Sequence, residues 1–302
     1  MDDLDVRIFK ELGNPSSLQW NVRETYSNIA RRLGIDEETV RRRLKKAEKL
    51  GSLPGWRMMI NPHIMDCEAA CLDLDVGSEE TKDRVISEIS QIDGVIKILD
   101  FRGKGLQVTL YYPDEDALRK KIELIYSLST SLSVPTVWEV RFPKTDIRMT
   151  EADWMIIWAM LDDARKSLGD VSKKVGVSTR TIERRLTKMS EARVVYLQGT
   201  PNFKNFAGLS CVFLVFCPNS ERKKLVDEAV LSKARRIELA NTSAKQYTTF
   251  VTAFDNLSES DEFMKWLRSL DGVESVKMGI VKELIVIQDI FRKAINTNVS
   301  SS

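Results

Sequence analysis

The sequence predicts an α+β chain that carries the same unit twice, a helix-turn-helix segment followed by a β-α-β-β-α-β stretch. Three observations predict it. Laid 142 positions apart, "IARRLGIDEETVRRRLKK" from Ile29 covers "VSKKVGVSTRTIERRLTK" from Val171 without a gap. Identical residues meet at Gly34 and Gly176, Thr39 and Thr181, and Arg42 and Arg184, and apolar residues match in kind. Downstream of each basic stretch, strand-like and helix-like runs follow in one order.

Each copy opens on a helix that begins with acids, "LDVRIFKEL" and "EADWMIIWAML". Arg23 to Leu33 reads as the next helix, ended by Gly34, with Ile35 turned inward and Asp36 as N-cap of the helix after it. Ser178 takes that N-cap place after Gly176. A helix, a short turn containing glycine and a second helix form the helix-turn-helix signature. Val40, Leu44 and Ala47 point inward in the first copy, as do Ile182, Leu186 and Met189 in the second.

The polar residues left over are candidates for DNA contact. They are Glu38, Thr39, Arg41, Arg42, Arg43, Lys45 and Lys46 in copy one, and Thr179, Arg180, Thr181, Arg184, Arg185 and Lys188 in copy two. Arginine pairs bidentately with guanine in the major groove, and both cations neutralise phosphates. A lone basic helix reads better as a solvated face; two copies, each behind a glycine turn, favour DNA. The stretches after the helices are candidate wings. Trp56 and Arg57, or Tyr196 and Gln198, are candidates to touch the DNA backbone or minor groove, and for Trp56 and Tyr196 core packing is expected at least as strongly.

In the remainder of each copy, the strand-like runs "ACLDLDV", "VIKILDF", "LQVTLYY" and "TVWEVRF" answer to "SCVFLVF", "RRIELA", "YTTFVTAF" and "ESVKMGIVKELIVI". The helices between them carry apolar residues at helical spacing, Val85, Ile86, Ile89 and Ile92 in one and Leu118, Ile122 and Ile125 in another, with Asp114 and Ser260 as expected N-caps. This is the ferredoxin-like order, an open sheet with both helices on one face and the other face needing a partner. The expected boundaries are 1–62, 63–145, 146–204 and 205–292, with a frayed polar tail over 293–302.

Composition limits the function classes. Hydrophobic residues make up 43% and charged residues 30% of 302, with a net charge of +2, so any nucleic-acid affinity has to come from local charge. The N-terminus is acidic where a signal peptide is basic, and no apolar run spans a bilayer, so the expectation is a cytoplasmic protein with no membrane partner. Cys67, Cys71, Cys211 and Cys217 lack zinc-site spacing and read as small apolar residues. His63 is the only histidine, and no triad, phosphate loop or metal spacing is present, so neither a cofactor nor an enzyme is expected.

The residues from "LDVRIFKEL" through "IARRLGIDEETVRRRLKKAEKLGSLPGWRMMINP" resemble the Lrp/AsnC family of feast/famine regulators, and "EADWMIIWAMLDDARKSLGDVSKKVGVSTRTIERRLTKM" is similar again. "LDDAR" looks like the family's turn between its first two helices, Arg43-Leu44 and Arg185-Leu186 stand where the family has Arg-Ile or Arg-Val, and Asn61-Pro62 matches the Asn-Pro after the wing. The resemblance implies two tandem copies of a winged helix-turn-helix followed by a ferredoxin-like βαββαβ (RAM-like) domain. It implies double-stranded DNA as partner and a small-molecule effector at the RAM domains. The acids that hold an amino-acid effector are missing from "FRGKGLQ" and "NTSAKQY"; Arg102 and Lys104, or Lys245, suit an anion instead, unless these are merely basic loops.

Family members pair through their RAM sheets, so the two sheets here are expected to pack on each other as a covalent pseudo-dimer, with a further homo-oligomer compatible. The helix-turn-helix copies then address half-sites one helical turn, or a multiple, apart. Glu38 against Arg180, Arg41 against Glu183 and Lys45 against Thr187 make those half-sites non-identical. Two alternatives stand beside this reading. Siroheme decarboxylases share the architecture and do tetrapyrrole chemistry. A protein-interaction regulator with one degenerate DNA-binding copy would explain Glu37 and Glu38.

Overall fold

A computed structural model describes residues 3–12, 18–128, 136–206, 208–233, 238–241 and 246–300. Copy one starts with helices α1 (Asp3–Glu11), α2 (Tyr26–Leu33) and α3 (Glu37–Lys49), then strand β1 (Trp56–Ile60). Copy two repeats this as α6 (Glu151–Met160), α7 (Leu168–Val175), α8 (Thr179–Glu191) and β6 (Val195–Gly199). The second helix of copy one begins later than the sequence implies. Thr25 is its N-cap and accepts from the Asn28 amide, and Arg23 is drawn to the other copy instead. Gly34 and Gly176 end α2 and α7 in the left-handed region (φ 68° and 78°), which glycine occupies without the steric cost a side chain brings.

The ferredoxin-like parts are β2 (Glu68–Asp75), α4 (Lys82–Ser90), β3 (Val95–Phe101), β4 (Gly105–Tyr112), α5 (Glu115–Ser127) and β5 (Thr136–Glu139), and then β7 (Leu209–Phe216), α9 (Ser220–Lys233), β8 (Glu238–Asn241), β9 (Tyr247–Phe254), α10 (Leu257–Ser269) and β10 (Ser275–Val286). Asp114 caps α5 as expected. Asn256, not Ser260, caps α10; Ser260 lies buried in the first turn and donates to the Leu257 carbonyl.

All eight of these strands form one antiparallel sheet in the order β5-β2-β4-β3-β10-β7-β9-β8. β10 makes the join: Ser275–Ile280 pairs with β7 of its own copy, and beyond an irregularity at Val281 and Glu283 the strand pairs with β3 of the other. The sheet also curls, so that its helix-free faces meet. Cys71 and Trp138 of copy one pack against Leu214 of copy two, and the Trp138 and Tyr247 rings lie 5.4 Å apart. The pseudo-dimer is thus built through shared edges as well as opposed faces.

Two further expectations are corrected. β1 and β6 do not reach out toward DNA. They pair with each other, Met58 opposite Leu197, in a two-stranded sheet that ties the helical copies together. Trp56, Tyr196 and Gln198 are buried there. The C-terminal segment expected to fray is a helix, α11 (Asp289–Ser300). Phe291 and Ile295, one turn apart, are fully buried in a helix that packs on α6 and β3.

At the junction the Tyr111 hydroxyl donates to the Ile60 carbonyl (3.0 Å) and meets the Tyr196 hydroxyl (3.1 Å). Burial pushes the Tyr111 phenol well above its ordinary range and raises that of Tyr196, so both stay neutral.

Candidate nucleic-acid interface

The apolar stripe of each basic helix fixes what it offers to solvent. In α3, Val40, Leu44 and Ala47 are buried, which leaves Glu38, Arg42, Lys45 and Lys46 exposed. In α8, Ile182, Leu186 and Met189 are buried, and Arg180, Glu183, Arg184, Thr187 and Lys188 are exposed along its outer face. Thr179 is exposed at the start of α8.

Several residues of the candidate set are engaged inside the protein. The Arg43 guanidinium pairs with Asp5 of α1 at 2.8 Å. Arg185 does the same with Asp153 of α6 at 2.8 Å and also donates to Thr150. These arginines clamp the third helix to the first in both copies. Burial alone would raise the Asp153 carboxyl, but hydrogen bonds from Thr150 and Arg185 hold it below the usual carboxylate range. Thr39 donates its amide and hydroxyl to the Asp36 carboxylate, and the Thr181 amide donates to the Ser178 hydroxyl, so both threonines complete N-caps. Arg57 donates to the Asp162 carbonyl at 2.7 Å and pairs with its carboxylate. Arg41 pairs with Glu37 at 2.6 Å and Glu38 at 3.6 Å, and its guanidinium lies 5.6 Å from the Tyr26 ring centre.

The two copies also grip one another reciprocally. Arg23 donates to the Lys166 carbonyl, and Arg165 donates to the Val22 and Glu24 carbonyls. No local pattern announced that exchange, because each arginine serves the opposite copy.

A second place of interest is a cleft of about 460 Å³ between the two halves of the sheet. Arg102 and Lys104, the candidates for an anion, line it together with Asp73, Asp75, Gln107 and Lys277. Lys245 lies outside the described residues. The turn carrying Arg102 and Lys104 is pinned from both copies. Lys82 of α4 and Asp100, each 2% exposed, form an ion pair at 2.6 Å, and Lys282 of β10 reaches the same carboxylate at 2.9 Å. The Lys82 ammonium also donates to the Phe101 and Gly103 carbonyls. Burial raises the Asp73 carboxyl to about 6, against the opposing pull of Lys277. The alternation in "LDLDV" was the available signal for Asp73 and Asp75, since it puts both acids on the face away from the helices.

His63 is half-buried, and its Nε2 lies 3.3 Å from the Phe142 carbonyl. Among the described residues no helix is long and apolar enough to cross a membrane, and no group of three or more metal-ligating side chains gathers.

Comparison with known proteins follows the same division. Residues 1–48 match the AsnC-type helix-turn-helix domain, and residues 149–196 match a winged helix-turn-helix DNA-binding domain. An uncharacterized HTH-type transcriptional regulator of Pyrococcus furiosus is 34% identical over 140 residues, 44% of this chain and 90% of the relative. One from Pyrococcus abyssi is 27% identical over 140 residues, 45% of this chain and 94% of the relative. The HTH-type transcriptional regulator Ptr1 of Methanocaldococcus jannaschii is 27% identical over 105 residues, 34% of this chain and 66% of that protein. Among solved structures, siroheme decarboxylase NirDL in complex with an iron-uroporphyrin III analogue covers 100% of both chains with a TM-score of 0.55 at 13% identity, a likeness of fold.

Proposed function

The chain belongs to the Lrp/AsnC type of helix-turn-helix regulators, with both units in one polypeptide, and from that premise we propose that it is a sequence-specific transcription regulator reading two non-identical half-sites. The observation that carries this reading is the pair of helices α3 and α8. Each follows a left-handed glycine turn and is clamped to its first helix by an arginine, and each turns exposed cations outward. Arg42, Lys45 and Lys46 on one side, and Arg180, Arg184 and Lys188 on the other, are the residues we assign to DNA. Arg43, Arg185 and Arg57 are assigned to holding the frame.

The cleft lined by Arg102, Lys104, Asp73 and Asp75 is the proposed effector site. Its mixed charge suits a small molecule carrying both signs or an anion with hydrogen-bond donors. A ligand there would pull on the turn pinned by Lys82 and Lys282, one from each copy.

Selection of bound duplexes from a random pool at two salt concentrations tests the reading. We expect a bipartite, asymmetric motif and binding that weakens steeply with salt. Symmetric half-sites would overturn the non-identity, and absence of binding at low salt would overturn the regulator.

A second reading has one observation in its favour, the full-length likeness of fold to a siroheme decarboxylase. The cationic residues of the cleft would then meet tetrapyrrole carboxylates. Titration with siroheme followed in the Soret region separates the two: a saturable shift, abolished by Arg102→Glu with Lys104→Glu, would bring the enzyme forward.

A further inference from the structure

We propose that the two recognition helices are unequal: α8 anchors the protein on DNA, and α3 docks second and more weakly. The proposal deepens the regulator reading and rests on it.

The charge at the leading end of each helix is the first support. α3 opens on Asp36, Glu37 and Glu38, all exposed, where α8 has Ser178, Thr179 and Arg180. The leading end of a recognition helix is the part that meets base edges and phosphates. Three carboxylates there repel phosphate and offset the partial positive charge of the helix terminus. Arg41, the first cation of α3, is already held by Glu37 and Glu38. Among the described residues no ion pair holds Arg180 or Arg184, and α8 offers both outward one turn apart. The acid in α8 that corresponds to Arg41, Glu183, stands between two arginines.

The mounting of each unit is an independent support. α11 covers the flank of α6 with Phe291 and Ile295. Its neighbour Gln288 donates to the Met58 and Leu161 carbonyls, both at 2.9 Å, and Arg292 pairs with Asp162 at 2.6 Å. Lys293 pairs with Asp93 beside β3, so α11 also reaches the sheet. Through Arg185 and Asp153, α8 is tied to α6 and hence to this body. Among the described residues α1 has its principal contacts with α2 and α3, and no helix corresponding to α11 follows β5. A rigidly mounted reader loses less freedom when it binds, so the better charge and the better mount fall on the same copy.

The test uses the full chain and the duplex recovered by selection. Two paired charge reversals are compared, Arg180→Glu with Arg184→Glu in α8, and Arg42→Glu with Lys45→Glu in α3. All four positions are exposed, and matching thermal midpoints verify the fold. We expect the α8 pair to lower affinity about 100-fold or more and the α3 pair about 10-fold or less. Glu37→Thr with Glu38→Arg should raise affinity several-fold, and footprinting should show one half-site protected at lower protein concentration than the other. Equal losses from the two reversals, or a larger loss from α3, would overturn the hierarchy and leave the regulator intact. Unchanged binding in both would remove the regulator reading itself.

Discussion

The two helix-turn-helix units follow one template and are mounted differently. Both bury a stripe of three apolar residues in the third helix and clamp it with an arginine to an acid of the first. Around α6, however, the chain adds the helix α11, and α6 buries Trp154, Ile156, Ile157, Ala159 and Met160 around its circumference. α1 keeps a one-sided stripe of Ile8 and Phe9, continued by Leu12 just beyond its end. The comparison teaches that duplication preserves the internal clamp of a module, because its partners lie within the module. What surrounds the module is free to diverge.

The strongest way to break the comparison is Phe291→Ala. A fully buried aromatic is removed from the α11 mount, and we expect a loss of about 3–5 kcal/mol. Amide exchange should quicken in α6 to α8 and stay unchanged in α1 to α3; equal quickening in both would show that α11 serves the whole frame. Next come the two clamps. Arg185→Met should cost about 2–3 kcal/mol, because it strands an Asp153 side chain only 9% exposed. Arg43→Met should cost less, because Asp5 at 17% keeps more of its water. Denaturant midpoints of the two variants measure the difference, and the reverse order would mean that the copies are not ranked by burial.

Tyr111→Phe sharpens the comparison from the junction. It removes bonds to a carbonyl of copy one and a hydroxyl of copy two together, and should cost about 1–2 kcal/mol. Exchange should rise in β1 and β6 alike. The smallest effect is expected at Asp73. Its carboxyl is raised to about 6 by burial, so the charged form is disfavoured in the folded protein. Stability should therefore increase as pH falls from neutral through about 6, and Asp73→Asn should raise the melting temperature at pH 7.5, with the gain fading in more acid buffer. A gain that persists at pH 4 would point to packing instead of charge.

Much of this was legible in the sequence because it is local. The glycine turns, the N-caps Asp36, Ser178 and Asp114, and the inward residues of α3 and α8 depend on neighbours a few positions away, and they stand where the pattern put them. Arg43 and Arg185 looked identical in kind to Arg42 and Arg184. Only the position of an acid on a helix more than thirty residues earlier separates a clamp from an exposed cation. The DNA contact expected of Tyr196 and Gln198 failed for the same reason, since the partner of β6 is β1 in the other copy. α11 was more accessible than it looked. "IFRKAI" holds Phe291 and Ile295 at helical spacing, and the polar serines after them masked that signal. In the cleft, Arg102 and Lys104 stand out in the sequence as cations on one turn, while Lys277 comes from a strand that only the curled sheet brings near.

The bridging strand β10 has a consequence for how the chain is made. Phe101 waits for Val281, and Lys97 for Val286, so the first copy leaves the ribosome with the β3 edge of its sheet uncovered. Such an edge is a template for the wrong strand. Copy two cannot supply the cover until Val286 has been synthesised, and a contact so distant along the chain forms slowly. During translation the first sheet is therefore exposed to pairing with neighbouring nascent chains, and truncation before β10 would leave a fragment prone to aggregate instead of a working half-molecule.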